Sequence, residues 1–165
     1  MARFEEASLP GRRRLLIRKA RTQDVQHIYR LVEEFSKKGG MLYRPTTEIY
    51  DQLRDFFVYD RGGEIEGIAA LHVWGADLAE IRSLAVLEER RGAGAGRLLI
   101  EACIEEARTL GVKKIFALTY RAGFFEKLGF QVLDKLMLPQ KIWGDCAKCT
   151  KFPSCDETAV IREVG

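Results

Sequence analysis

The chain has 165 residues, 47% of them hydrophobic and 31% charged, with a net charge of +3. That length suits one domain, able to bury about 70% of its unfolded surface, and the balance is that of a soluble globular protein. So small a charge, without aromatic residues interleaved among the basic ones, argues against nucleic acid; no apolar run nears the roughly 20 residues that cross a bilayer, so no membrane is expected.

Residues 1–12 read as a loose leader. The first ten carry Arg3, Glu5 and Glu6 and no apolar stretch, so no signal peptide is expected and the cytoplasm is the expected location. The run Arg12, Arg13, Arg14, with Arg18, Lys19 and Arg21 soon after, reads as a solvated strand and its lead-in, the strand spanning 13–19. Thr22 or Asp24 can cap a helix on which Val25, Ile28, Leu31, Val32 and Phe35 recur at helical spacing, and Gly39-Gly40 ends it. A shorter helix over 46–56 puts Ile49, Leu53 and Phe56 on one face. Apolar residues 56–59 lead into a hairpin turn at Asp60-Arg61-Gly62-Gly63. A β-rich run from Ile65 to Trp74, a turn at Gly75-Ala76-Asp77 and a strand from Glu80 to Leu87 follow.

Leu98 to Leu110 is a strong helix stopped by Gly111, and Lys114 to Thr119 a buried strand. Phe124 to Leu128 is a short helix closed by Gly129, Phe130 to Leu138 another strand, and Thr158 to Arg162 the last. His27 and His72 stand alone in apolar contexts and read as structural. A meander of strands passing into a βαβ crossover predicts an α/β (α+β) fold: a mixed, mostly antiparallel sheet with helices on both faces.

The most informative stretch is Leu84-Ala85-Val86-Leu87-Glu88-Glu89-Arg90-Arg91-Gly92-Ala93-Gly94-Ala95-Gly96-Arg97. It is a strand, a short turn and a glycine-rich helix opening. Without Cβ obstruction several N–H groups can turn toward one point. The helix start adds unpaired N–H groups and the positive end of its dipole. The sum is a pyrophosphate site, to which Arg90, Arg91 and Arg97 can add charge-assisted bonds. No Gly-Lys-Ser/Thr follows, so it is no Walker loop. Gly92, Gly94 and Gly96 also lack the third-glycine spacing of a dinucleotide fingerprint, and no first-strand βαβ context precedes them.

Arg91-x-x-Gly94-x-Gly96 resembles the pyrophosphate signature of the GNAT acetyltransferases. Phe124-Phe125-Glu126-Lys127-Leu128-Gly129-Phe130 is similar to that family's late helix–strand segment. Ile17-Arg18-Lys19-Ala20 with Asp24 is similar to its opening. The resemblance spans about residues 13–138 and implies the GNAT fold. It further implies that acetyl-CoA is the acyl donor, lying where strand 80–87 splays from strand 114–119. The backbone of Leu84 and Val86, with Ala85 between them, would line the pantetheine. Arg91, Gly92, Ala93, Gly94, Ala95, Gly96 and Arg97 would hold the pyrophosphate, and Phe125 would contact the coenzyme.

The implied reaction is acyl transfer from a thioester to an amine. With a pKa near 10, only about one alkylamine in a thousand is nucleophilic at neutral pH, so the site needs a route for proton removal. Glu80, which opens its strand, is the candidate base. Where the family places a tyrosine acid, this chain has Phe125. Tyr120 is the nearest alternative for protonating the thiolate, which can also leave unaided.

Two further segments, Gly40-Met41-Leu42-Tyr43-Arg44-Pro45 and Leu118-Thr119-Tyr120-Arg121, resemble those of the acetyltransferase domain of N-acetylglutamate synthases, as does Leu138-Pro139. By this resemblance the acceptor is L-glutamate, its carboxylates held by Arg44 and Arg121 with help from Arg82, and the product enters arginine biosynthesis. No amino-acid-kinase domain precedes the segment, so regulation by arginine through such a domain is not expected. Two other readings stay open: another amine or a protein N-terminus as acceptor, or an acyl-CoA sensor without turnover.

Cys146, Cys149 and Cys155 lie in the segment 139–156. Cys-x2-Cys is the knuckle of many zinc sites; a closed site needs a fourth ligand, for which Cys103 inside the long helix is a poor candidate and Asp145, Asp156 or a partner chain could serve. A structural zinc, a disulfide or redox role, and unligated thiols all remain open, as does a homodimer contact through the segment.

Overall fold

The computed structural model describes residues 15–90, 92, 94–139 and 156–165. Strand β2 (Phe56–Arg61) begins with four consecutive buried residues, which its period of two sends to opposite faces. Phe57 and Tyr59 enter one apolar cluster, Phe56 and Val58 another. A strand apolar on both faces needs cover on both. Helix α1 (Val25–Lys37) supplies Val25, Ile28, Leu31 and Val32 on one side, and α2 (Thr46–Asp51) adds Ile49. On the other side α3 (Ala95–Leu110) supplies Leu99, Ile100, Cys103, Ile104 and Ala107, joined by Phe125 of α4 (Ala122–Glu126). Truncating a fully buried aromatic such as Phe57 costs about 3–5 kcal/mol, since the cavity cannot close.

The sheet has seven strands in the order β1 (Leu15–Lys19), β2, β3 (Glu64–Val73), β4 (Leu78–Val86), β5 (Lys114–Thr119), β7 (Thr158–Glu163) and β6 (Gln131–Leu133). Every neighbouring pair is antiparallel except β4 and β5, which α3 connects as a parallel crossover. The mixed, mostly antiparallel sheet with helices on both faces is thus as expected. Among the described residues no helix is long and apolar enough to cross a membrane.

Several element boundaries differ from the sequence reading. The helix expected over 46–56 stops at Asp51; a tight turn, Leu53–Asp55, then frees Phe56 to open β2. The strand expected over 130–138 covers only Gln131–Leu133. A turn at Lys135–Met137 follows, its Leu136 N–H donating to Asp134 at 3.0 Å. Leu136 and Met137 misled by their apolarity, for both are exposed. Asp24 does not cap α1: its carboxylate turns back to accept two bonds from Arg18, at 2.7 and 2.9 Å, and the Arg21 N–H at 2.7 Å. Arg18 also donates to Asp60 of β2 at 3.2 Å, so this cluster ties β1 to α1 and β2.

Candidate active site

β4 is shaped by one irregularity. Its register against β3 pairs His72 with Glu80 and Ala70 with Arg82, but then Ile68 with Ala85, so β4 spends three residues where β3 spends two. The bulge falls at Ser83, whose φ of 54° lies in the left-handed region. It also switches faces: Ala79 and Ile81 point to the α3 side before it, Leu84 and Val86 after it. On its other edge β4 pairs with β5 only from Leu78↔Lys114 to Glu80↔Phe116. β5 continues to Thr119 in register with β7, so the two parallel strands part just beyond Glu80. Leu84, Ala85 and Val86 therefore border the gap, where the sequence reading puts the pantetheine.

At the mouth of the gap α3 begins. Gly92 and Gly94 have φ of 90° and 84°, a conformation other residues rarely adopt. Gly94 sits at the N-cap with no side-chain cap, which leaves the first N–H groups of α3 turned outward. A Cβ on Gly96 would lie 3.2 Å from Phe124 Cζ, so glycine permits this approach of α3 to α4. Arg97 Nε is 2.8 Å from Glu101 on the exposed face of α3. A groove of about 610 Å³ between α3 and α4 is lined by Arg97, Glu101, Phe124, Lys127 and Arg162 among others, three cations to one carboxylate. Phe125 is buried in the core, edge-on to Phe124 and Phe130. Its neighbour Phe124, not Phe125, meets the glycine bend. Arg91 and Ala93 lie outside the described residues.

On the α1–α2 side of the parting strands lies a polar network. Glu80 is buried, and its Oε1 accepts the Trp74 indole N–H at 3.0 Å. Arg82, also buried, donates to Gln52 at 2.8 Å and lies 6.0 Å from the Trp74 ring. Arg44, at 3% exposure, pairs with Glu48 at 2.6 Å. Glu48 and Gln52 stand one turn apart, so α2 and the residue closing it hold Arg44 and Arg82 together. Arg121 is placed differently: its guanidinium stacks 5.2 Å over Phe124, beside the glycine bend. Tyr120 is exposed and donates to Asp156 at 2.7 Å.

Sequence reasoning missed Gln52, Asp55, His72 and Trp74 as parts of this site. His72 was read as a lone structural histidine. It lies directly across from Glu80, edge-on to Trp74 at 4.8 Å, with Nδ1 2.7 Å from Asp55. A signal was available. A hairpin turning about Ala76 places residues 72 and 80 opposite each other.

Comparison with known proteins gives the family. The model of the acetyltransferase (GNAT) family matches residues 19–130. The chain belongs to the GNAT family. It is 43% identical over 146 residues, 88% of this chain and 94% of the relative, to a protein of Chlorobaculum tepidum named only as an N-acetyltransferase. It is 30% identical, over 82% of its own length and 79% of the relative's, to an amino-acid acetyltransferase of Mycobacterium tuberculosis. Among solved structures it is similar to N-acetylglutamate synthase from Neisseria gonorrhoeae complexed with coenzyme A and N-acetyl-glutamate. There the TM-score is 0.83 at 27% identity, over 92% of this chain but only 35% of that one.

The GNAT site described above suits coenzyme A: a capless helix start beside positive-φ glycines for a diphosphate, an open strand edge for an amide-bearing arm. Among the described residues no group of three His, Cys, Asp or Glu side chains could hold a metal ion. Cys146, Cys149 and Cys155, on which a structural zinc would rest, lie outside them. The Cys103 thiol is fully buried in α3, and burial pushes its pKa up to about 12, so it stays protonated.

Proposed function

We propose that the chain is an N-acetyltransferase that moves the acetyl group of acetyl-CoA to the α-amine of L-glutamate. The observation that carries the donor is the parting of β4 from β5 at Glu80↔Phe116, with the uncapped start of α3 at its mouth. The acceptor is supported by two buried arginines on the opposite side, Arg44 and Arg82, and by relatives named amino-acid acetyltransferases.

Acetyl-CoA supplies an acyl group activated as a thioester. Leu84, Ala85 and Val86 line its arm. The amides of Gly92 to Gly96, with Arg91 and Arg97, hold its diphosphate, and the groove of Arg97, Lys127 and Arg162 takes further anionic charge. Arg44, Arg82 and Arg121 bind the two carboxylates of glutamate, for which the planar guanidinium fork is suited. Glu80 accepts, through water, the proton that the amine must lose. Tyr120 returns a proton to the departing sulfur, which as a thiol of pKa near 8.5 can also leave unaided. The product would enter arginine biosynthesis, with the cytoplasm as the compartment.

The test is incubation with acetyl-CoA and a panel of amino acids and other amines, following free CoA. Turnover with glutamate above all others is the expected result. Preference for another amine would overturn the acceptor, and CoA binding without any turnover would make the chain a sensor.

A further inference from the structure

We infer that Trp74 positions the Glu80 carboxylate for proton transfer from the acceptor amine, and that His72 and Asp55 hold the indole in place. This rests on the reading of Glu80 as proton acceptor and adds the residues that make it one.

Glu80 stands at the last rung of the β4–β5 ladder, where the strands begin to part. The outer torsion of a glutamate carboxylate is broad. A fixed donor narrows it. Trp74 follows β3, and the hairpin brings its indole back over β4, where Nε1–H donates to Glu80 Oε1 at 3.0 Å. Indole nitrogen is a donor only, so the bond keeps one polarity whatever the pH. With an ionised carboxylate as acceptor, such a bond is stronger than a neutral one.

The indole itself is clamped. His72 meets it edge-on, with rings 82° apart and centroids at 4.8 Å. Phe116, Leu138 and Ala159 form an apolar cluster against which Trp74 packs. His72 is in turn held by Asp55 at 2.7 Å, from the turn that ends the α2 segment. Among the described residues, the titratable or charged groups near Glu80 include His72 across from it on β3, Arg82 two residues along β4, and Asp55 behind His72.

In the step served, the amine N–H bond breaks through a bridging water, its electron pair stays on nitrogen for attack, and the proton ends on the Glu80 carboxylate. The carboxylic acid so formed returns its proton to solvent.

The decisive variant is Trp74→Phe in the full chain, which keeps a ring against His72 and removes the donor. With whichever amine supports turnover, kcat should fall about tenfold while KM for acetyl-CoA stays within about twofold. The acid limb of the pH–rate profile should move up by about one unit, because a bond to the charged form has been lost. Asp55→Asn should shift both readouts less, in the same direction. Independently of the acceptor, carbon NMR titration of the Glu80 carboxyl should show the same upward shift in Trp74→Phe. An unchanged titration and profile would overturn the inference even if glutamate is acetylated. An upward shift alongside turnover of an amine other than glutamate would overturn the acceptor alone. Full activity of Glu80→Gln would overturn the inference together with the reading it rests on.

Discussion

Gly96 and Phe124 meet so closely that a Cβ on the glycine would lie 3.2 Å from the ring. This contact sets how near the start of α3 comes to α4, and the Arg121 guanidinium lies 5.2 Å from the centroid of the same ring. Gly96→Val should therefore weaken CoA binding at least about tenfold and destabilise the fold by about 1–3 kcal/mol, through overpacking and a β-branched residue in a helix's first turn. Calorimetric titration with CoA, paired with denaturant unfolding, measures both. Unchanged affinity would detach the bend from the coenzyme.

The Arg18–Asp24–Asp60 cluster makes a statement about pH. Burial alone would raise the Asp24 carboxyl, but the bonds from Arg18 and the Arg21 N–H outweigh it and hold the group below its usual value. A carboxylate depressed in the folded state adds stability that is present above its unfolded pKa, near 4. That stability is lost as the pH falls through the lower folded value. Asp24→Asn should cost roughly 3 kcal/mol at pH 7, since it breaks a largely buried pair. The gap to the unmodified protein should narrow below about pH 4. Urea midpoints at a series of pH values report it. A gap constant with pH would mean that the loss is one of packing.

Glu80→Gln keeps the shape and the indole contact but cannot accept a proton. It should lower kcat about a hundredfold or more with little change in KM for acetyl-CoA. Steady-state kinetics at saturating amine are the measurement, and near-normal kcat would remove Glu80 from the chemistry.

Arg121→Ala should raise KM for glutamate about tenfold to a hundredfold, the worth of a charge-assisted bond to a carboxylate, and KM for acetyl-CoA far less. The stack of Arg121 on Phe124 makes this a sharp test. Equal effects on both substrates would reassign the residue to the coenzyme side.

The sheet and its two helical layers were legible in the sequence because periodicity carries them. Val25, Ile28, Leu31 and Val32 could only be one face of a helix, and the glycine run after a strand could be read from N–H geometry alone. Trp74 and His72 were legible only through the β3–β4 hairpin register, which sets His72 opposite Glu80; the bulge at Ser83, a non-glycine residue that gives no warning of positive φ, was not legible at all. The same bulge decides which of Glu80 to Val86 face the acceptor and which face α3. The end of the predicted strand at 138 failed for a simpler reason: Leu136 and Met137 are apolar but exposed, and Asp134 caps a turn there.

The central claim is that the amides at the start of α3, opened by Gly92, Gly94 and Gly96, grip the diphosphate of coenzyme A. Isothermal titration of the full chain with CoA and with acetyl-CoA tests it most directly. Saturable heat at one site per chain, falling away when the diphosphate-bearing nucleotide is trimmed to pantetheine, is the expected result. No heat with either ligand, or equal affinity for pantetheine, would contradict it.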